Sequence, residues 1–482
     1  MTAGNLASLA PYLVLAASAV IVMLSIAFAR NHRLAAGLTL AGLALSFAAL
    51  PVAAAAGPPE VTPLLRVDGF ALLFDGLLIA AAFAVAALSF GYFERRRVQR
   101  EEFYLLLLTA ALGGCVLPAS VHFASLFLSL ELLSVSLYAM TAYLRTDSLG
   151  IEAGIKYLVL GASTSAFLLF GAALIYTERG TLAFDGVLLP ETAAAGAAHP
   201  VLVTAGLGLV LVAIGFKLAV VPFHLWIPDI YQGAPAPVAG FLATVSKGAV
   251  FAVLIRIFSR YRLASESGLY AVLVVLAAAS MFGGNWLALR QTNVKRMLAY
   301  SSIAHFGYLL VALLAAGAQA VTASGIYLAA YFAAILAAFG VIGTLPANGR
   351  DAQELEEFRG LFWRRPWAAG VLTAALVSLI GIPLTAGFIG KAYVLLASAG
   401  TAVWLLALIL VVSSAIGLYY YLRVILTMAE PRAEGGEAES AAPASRLGDA
   451  VLGALALGIL GLGVYPAPLL ELIRRAAGTL PF

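Results

Sequence analysis

Apolar runs of about 20 residues, parted by short polar breaks, recur along almost the whole chain. A helix that crosses a bilayer needs roughly 20 such residues. The pattern predicts fourteen spans, at 10–29, 34–56, 71–93, 103–118, 122–144, 149–176, 201–221, 238–258, 268–289, 298–316, 323–346, 367–395, 400–424 and 449–470. No strand-like alternation competes with them. The first run lacks a preceding basic segment and a second run follows at once, so it reads as a retained span, not a cleaved signal. The expected fold class is an all-α polytopic membrane protein.

Composition agrees. Of 482 residues, 63% are hydrophobic and 11% charged, and mean hydropathy is +1.00. A soluble globule is near half apolar and a quarter charged, so the lipid bilayer is the expected solvent here. The single cysteine, Cys115, excludes a disulfide scaffold, a zinc ribbon and a cysteine-ligated iron–sulfur cluster. Net charge is only +4 and the basic residues lie between apolar runs, which argues against a nucleic-acid partner. No histidine spacing suggests metal ligation. No stretch is long and polar enough for a soluble domain, so any catalytic head belongs to another chain.

Lysine and arginine in the loops set orientation. With both termini outside, sixteen of them fall inside, including Arg95, Arg96, Arg97, Arg100, Arg145, Lys295, Arg350 and Arg432. Six fall outside, at Arg66, Arg179, Arg260, Arg262, Arg474 and Arg475, with Arg256 nearby and against the trend. Both termini are therefore expected on the outer face. The 347–366 loop carries a capping-box pattern, Asp351 to Glu354, before a short surface helix, and 430–448 is small, polar and flexible in composition.

The distribution of lysine is the most informative feature. There are five lysines against twenty-three arginines. Lys295 is assigned to a loop, whereas Lys156, Lys217, Lys247 and Lys391 fall inside apolar runs. An intramembrane charge costs at least about 2.5 kcal/mol, which makes it a functional candidate. Arginine stays protonated almost always, whereas a buried lysine can release its proton. Lys156, near a span end, reads equally well as a snorkelling side chain.

Glu131, halfway through the fifth span, is the matching acid. A lone carboxylate there must be neutral or paired, and pairing with Lys217 accounts for both charges. Asp75 reads as interfacial. Two spans look broken: IGFKLAVVPFHLWIPD, with Lys217 before Pro222 and Pro228, and SLIGIPLTAGFIGKAYV, with Pro383 before Lys391. Proline removes a helix hydrogen bond, and irregular backbone at membrane depth is tolerated where it lines a wet cavity. An ordinary kink is the plainer alternative. His224 follows the first break. His305 lies in AYSSIAHFGY with Ser301, Ser302 and Tyr308, where hydroxyls and imidazole can relay protons; packing alone is the alternative for each. His122 and His199 are expected at the outer surface and His32 at the inner.

These stretches resemble the antiporter-like membrane subunits of respiratory complex I and the related multisubunit cation/proton antiporters. The resemblance is carried by GNWLALRQTNVKRMLAYSSIAHFGYLLV (284–311) and FKLAVVPFHLWIPDIYQGAPAPVAGFLATVSKGAVF (216–251). Within that family, residues 129–143 and 152–176 look like subunit N. Lys391 stands where subunit M carries glutamate, and the long lateral helix of subunit L is not expected after the fourteenth span.

The resemblance implies two inverted five-helix repeats with broken helices, at 103–258 and 259–424, flanked by 1–102 and 425–482. It implies that Glu131 modulates Lys217 in the first channel, that Lys247 connects, and that Lys391 leads outward, with Lys156 a further family lysine. It implies proton translocation driven by NADH:quinone redox chemistry in partner subunits, which hold the flavin, iron–sulfur clusters and quinone; this chain holds no cofactor. Alternatives are a subunit of a sodium/proton antiporter or membrane-bound hydrogenase, a passive membrane scaffold, or a solute carrier.

Overall fold

The computed structural model describes residues 3–56, 59–96, 99–188, 201–260, 268–345, 350–399, 401, 403–431 and 445–480. Arg97, His199, Arg262, Arg432 and residues 432–444 of the polar 430–448 loop lie outside the described residues.

Thirteen described helices are long and apolar enough to span a bilayer. They begin with α1 (Ala10–Phe28), α2 (His32–Ala55), α3 (Gly69–Glu94), α4 (Glu101–Ala119), α5 (Phe123–Thr141), α6 (Ser148–Arg179) and α7 (Val201–Leu218). After a break come the short α8 (Ile227–Gly233) and the spanning α9 (Ala236–Phe258), α10 (Gly268–Leu289), α11 (Val294–Leu314) and α12 (Gly317–Thr344). The run expected at 367–395 is two half-helices, α13 (Pro366–Ile380) and α14 (Ala386–Ser398). Then follow α15 (Trp404–Ala429), α16 (Arg446–Val464) and the short α17 (Ala467–Ala477).

Polar residues at the loop boundaries start the helices. Asn31, Asp68, His122, Asp147 and Asn293 each accept a backbone N–H in the first turn of α2, α3, α5, α6 and α11, satisfying donors that a helix start leaves free. Inside the bundle, α9, α11 and α12 are almost wholly buried. By contrast α2, α6 and α15 leave Leu45, Phe47, Leu158, Phe170, Leu408 and Val412 exposed. Such faces suit lipid, where every backbone polar group is already satisfied within a helix.

Several expectations need correction. The all-α architecture carries one small addition, an antiparallel hairpin of β1 (Glu60–Thr62) and β2 (Leu65–Arg66), too short to show as alternation. Asp75, near the start of α3, is fully buried within the protein and accepts a hydrogen bond from Tyr12 at 2.7 Å. Arg256 departs from the loop charge bias because it is a buried structural group, bound through two nitrogens to Asp68 at 2.7 and 2.8 Å. The amphipathic α17 buries Leu470 and Ile473 and exposes Arg474 and Arg475.

Lys295 is not in a loop. It sits in the first turn of α11, 1% exposed, and donates to Ala234 O at 2.6 Å and Asp351 Oδ2 at 3.0 Å. Asp351 is consequently not a cap. It is buried, binds Arg96 at 2.8 Å and accepts from Ala236 N at 2.9 Å. The capping box lies three residues later, between Glu354 and Glu357. Burial pushes the Asp351 carboxyl up, but Lys295 and Arg96 more than offset this and hold it below its usual range. This one carboxylate ties the 350–366 loop to α3's end and to the α8–α9 and α10–α11 junctions.

Candidate proton-relay site

The first broken helix follows from its prolines. α7 stops at Leu218, Ala219 takes a left-handed backbone (φ 56°), and α8 starts with Pro228 in its first turn. Such a φ is uncommon for a residue with a Cβ. The freed backbone finds partners in side chains: Val221 N donates to Ser280 Oγ at 2.9 Å, and Trp226 Nε1 donates to Phe216 O at 3.1 Å. Lys217 lies at the end of α7, buried, and donates to Ser134 Oγ at 2.6 Å. Its ammonium faces the rings of Tyr138 at 5.7 Å and Tyr157 at 6.0 Å, a favourable place for a cation. Tyr157 in turn stacks on Trp226 at 4.9 Å.

Glu131 does not bind Lys217 directly. Its carboxylate is half-buried on α5 and accepts from Ser165 Oγ of α6, while Lys217 holds Ser134, one turn along the same helix. Acid and lysine thus hold neighbouring hydroxyls instead of each other. Direct pairing of two desolvated charges would be costly to part; a serine-separated arrangement is softer.

Lys247 begins the regular part of α9, directly after a π turn at Leu242–Ser246 that the sequence pattern did not reveal. Such turns often mark functional sites. Lys247 is 1% exposed, donates to Ser302 Oγ at 2.8 Å and lies 4.8 Å from the Phe306 ring centre. One turn further along α11, His305 is buried with Nδ1 2.6 Å from the Tyr327 hydroxyl and Nε2 3.3 Å from that of Tyr421. Tyr421 also bonds Ser301.

The second broken helix ends α13 on Gly381 at φ 86°, a conformation glycine adopts without strain. The turn holds Pro383, and α14 begins at Ala386. Gly387 is required by closeness: a Cβ there would lie 1.7 Å from Ser378 O. Lys391 of α14 reaches back to the end of α13, donating to Leu379 O at 3.0 Å and Ile380 O at 2.7 Å, and to Ser414 Oγ at 2.6 Å. A cavity of about 10 Å³, room for about one water, is lined by Lys391, His305, Tyr327 and Tyr331.

The structure therefore brings Lys247, His305 and Lys391 into one buried polar tract, and sets Glu131 and Lys217 beside Ser134. His224 lies within the first break, its Nδ1 buried and without a hydrogen-bond partner among the described residues. Lys156 stands apart at the bundle edge, bridging Glu152 and Asp229, both at 2.7 Å. The residues that sequence reasoning missed are chiefly the partners: Ser134, Ser165, Ser414, Tyr327 and Tyr421. Ser134 was within reach, three residues from Glu131 on an apolar helix. Among the described residues no cluster of His, Cys, Asp and Glu fits a metal ion.

Comparison with known proteins fits this geometry. Residues 120–417 match the family described as NADH:quinone oxidoreductase/Mrp antiporter, TM. An NADH-quinone oxidoreductase subunit N of Ectopseudomonas mendocina (strain ymp) is 49% identical over 485 residues, covering 99% of this chain and 97% of that relative. A chain of respiratory complex I from Thermus thermophilus with bound aureothin is 34% identical at TM-score 0.80, over 96% of this chain and 98% of its own. A chain of the Mrp complex from Dietzia sp. DQ12-45-1b shares the fold, at TM-score 0.85, 22% identity and coverage of 100% and 98%. On this identity and coverage, the chain belongs to the NADH:quinone oxidoreductase/Mrp antiporter transmembrane family, on its subunit N branch.

Proposed function

We propose that this chain is the proton-translocating subunit N of an NADH:quinone oxidoreductase in a bacterial inner membrane. It is part of an enzyme as a subunit of a translocase. Flavin, iron–sulfur clusters and quinone belong to partner subunits, and the neighbouring membrane-arm subunits cover part of its apolar surface. In this reading both termini face outward. Residues 103–258 and 259–424 are inverted repeats, a division supported by the presence of one lysine-bearing broken helix in each.

Protons from the inner face load Lys217, pass by water and hydroxyls to Lys247, cross Ser302 and His305 to Lys391, and leave outside. Movement of Glu131 relative to Ser134 and Lys217 sets how tightly Lys217 keeps its proton. The energy scale suits the task. Moving one charge across 100 mV costs about 2.3 kcal/mol, and a hundredfold change in a lysine's proton affinity is about 2.7 kcal/mol.

The observation that carries this reading is three lysines, at most 9% exposed, each beside a break or π turn and held, among the described residues, by hydroxyls or carbonyls without a carboxylate. Structural lysines in this same chain look different: Lys295 is locked to Asp351. The test is the ratio of protons pumped to electrons transferred in the assembled complex carrying Lys391→Ala. A large fall is expected; a normal ratio in a fully assembled complex would falsify the relay through that residue.

A further inference from the structure

A pocket of about 90 Å³ opens between the start of α6 and α8, lined by Leu149, Glu152, Lys156, Asp229 and Gln232. Two cross-links run side by side here. The charged one is a chain: Lys156 holds Asp229 Oδ2 at 2.7 Å, and Arg296 of α11 holds Asp229 Oδ1 at 2.6 Å and Gln232 Oε1 at 2.9 Å. The aromatic one is the Tyr157–Trp226 stack, with planes 4° apart. Each joins α6 to the α8 segment through residues next to each other in sequence or one turn apart. The charged link borders the pocket, and the aromatic link borders Lys217.

We propose that this pocket is the proton-uptake mouth for Lys217, and that the Lys156–Asp229 ion pair is its latch. The proposal rests on the reading of Lys217 as the first relay lysine. Three features support a mouth over plain helix glue. The charged side chains remain water-accessible, 42% for Lys156 and 34% for Asp229. The carboxylates of Glu152 and Asp229 offer sites where a proton can dwell. The stacked rings adjoin both groups, since Tyr157 follows Lys156 in sequence and its ring lies 6.0 Å from the Lys217 ammonium. While Lys156 and Arg296 occupy both Asp229 oxygens, that carboxylate takes no proton and α8 stays clamped. When Lys156 lets go, Asp229 accepts a proton from water, α8 is freed to part the stacked rings, and the proton moves to Lys217 as the carboxylate is restored.

The test places a removable plug in the mouth without touching its charges. Leu149→Cys is made in the assembled complex and treated on inside-out membranes with a bulky, membrane-impermeant methanethiosulfonate. The native thiol of this chain, Cys115, is buried, and the unsubstituted complex reports labelling of partner chains. Arg33→Cys, exposed at the start of α2 on the inner face of the both-termini-out arrangement, serves as control. The expected result is at least a fivefold fall in protons pumped per electron for labelled Leu149→Cys relative to its own unlabelled value, reversed by dithiothreitol, with no change at labelled Arg33→Cys. Complete labelling with an unchanged ratio overturns the proposal. So does failure of the Leu149→Cys variant to take up label, since a mouth must be open to water. Lys217→Ala, run alongside, separates the two ideas: if it pumps normally the relay reading falls, and if it fails while the plug has no effect only the mouth falls.

Discussion

Lys217 donates one hydrogen bond, to Ser134, and is otherwise walled by Tyr138 and Tyr157. Lys391 donates three, two of them to main-chain carbonyls that end α13. Both lysines sit beside a proline break, yet their charges are compensated differently. A helix C-terminus carries partial negative charge that is fixed by the backbone, so the Lys391 site is built in. The Lys217 site relies on a hydroxyl and ring faces, with Glu131 one turn away on α5. The first site is therefore suited to switching and the second to steady reception. Breaking the helix makes the Lys391 site possible, because a broken helix exposes carbonyls at that depth.

The largest expected effect addresses what the sites share. Lys217→Arg and Lys391→Arg keep the positive charge but cannot release a proton at neutral pH. Each is expected to lower proton pumping about tenfold or more while the complex assembles. If either arginine variant pumps normally, that site serves charge and not proton transfer. A second test contrasts these lysines with Lys295. Asp351→Asn leaves Lys295 buried and unpaired, a loss on the order of 3–5 kcal/mol, read as lower thermal stability of the assembled subunit. Because the Asp351 carboxyl is held below its usual range, its contribution is present at neutral pH. It is expected to vanish only as pH falls through that lowered value, and the asparagine variant should lack this acid-side loss.

Smaller effects sharpen the difference between the two breaks. Glu131→Gln is expected to reduce pumping severalfold without loss of assembly, since it removes the acid near Lys217 but no hydrogen bond of the lysine itself. Ser134→Ala removes the hydrogen bond that holds Lys217 and is expected to reduce pumping about threefold, roughly the effect of one ordinary hydrogen bond at the low end of its range. Ser414→Ala leaves two carbonyls on Lys391 and is expected to change pumping less than about twofold. Equal effects of the two serine changes would erase the contrast drawn here.

The spans and both breaks were legible because they depend on local facts: the length of apolar runs and the place of Pro222, Pro228 and Pro383. The buried lysines were legible because a charge inside an apolar run is conspicuous. What was not legible depends on pairing between distant segments. Nothing near Lys295 in sequence announces Asp351, so a buried ion pair read as a loop lysine. Nothing in 122–144 shows that Lys217 meets Ser134 instead of Glu131. The π turn before Lys247 is a one-residue adjustment of hydrogen bonding inside an unbroken apolar run, which leaves no trace in hydropathy.

In the proposed relay Lys247 links the two breaks, so it offers the most direct test. The measurement is protons pumped per electron transferred by the complete complex, reconstituted in vesicles, with Lys247→Ala. The ratio is expected to fall while electron transfer and subunit content persist. An unchanged ratio in a complete complex would contradict the account, because it would mean that protons cross this chain without the lysine at its centre or do not cross it at all.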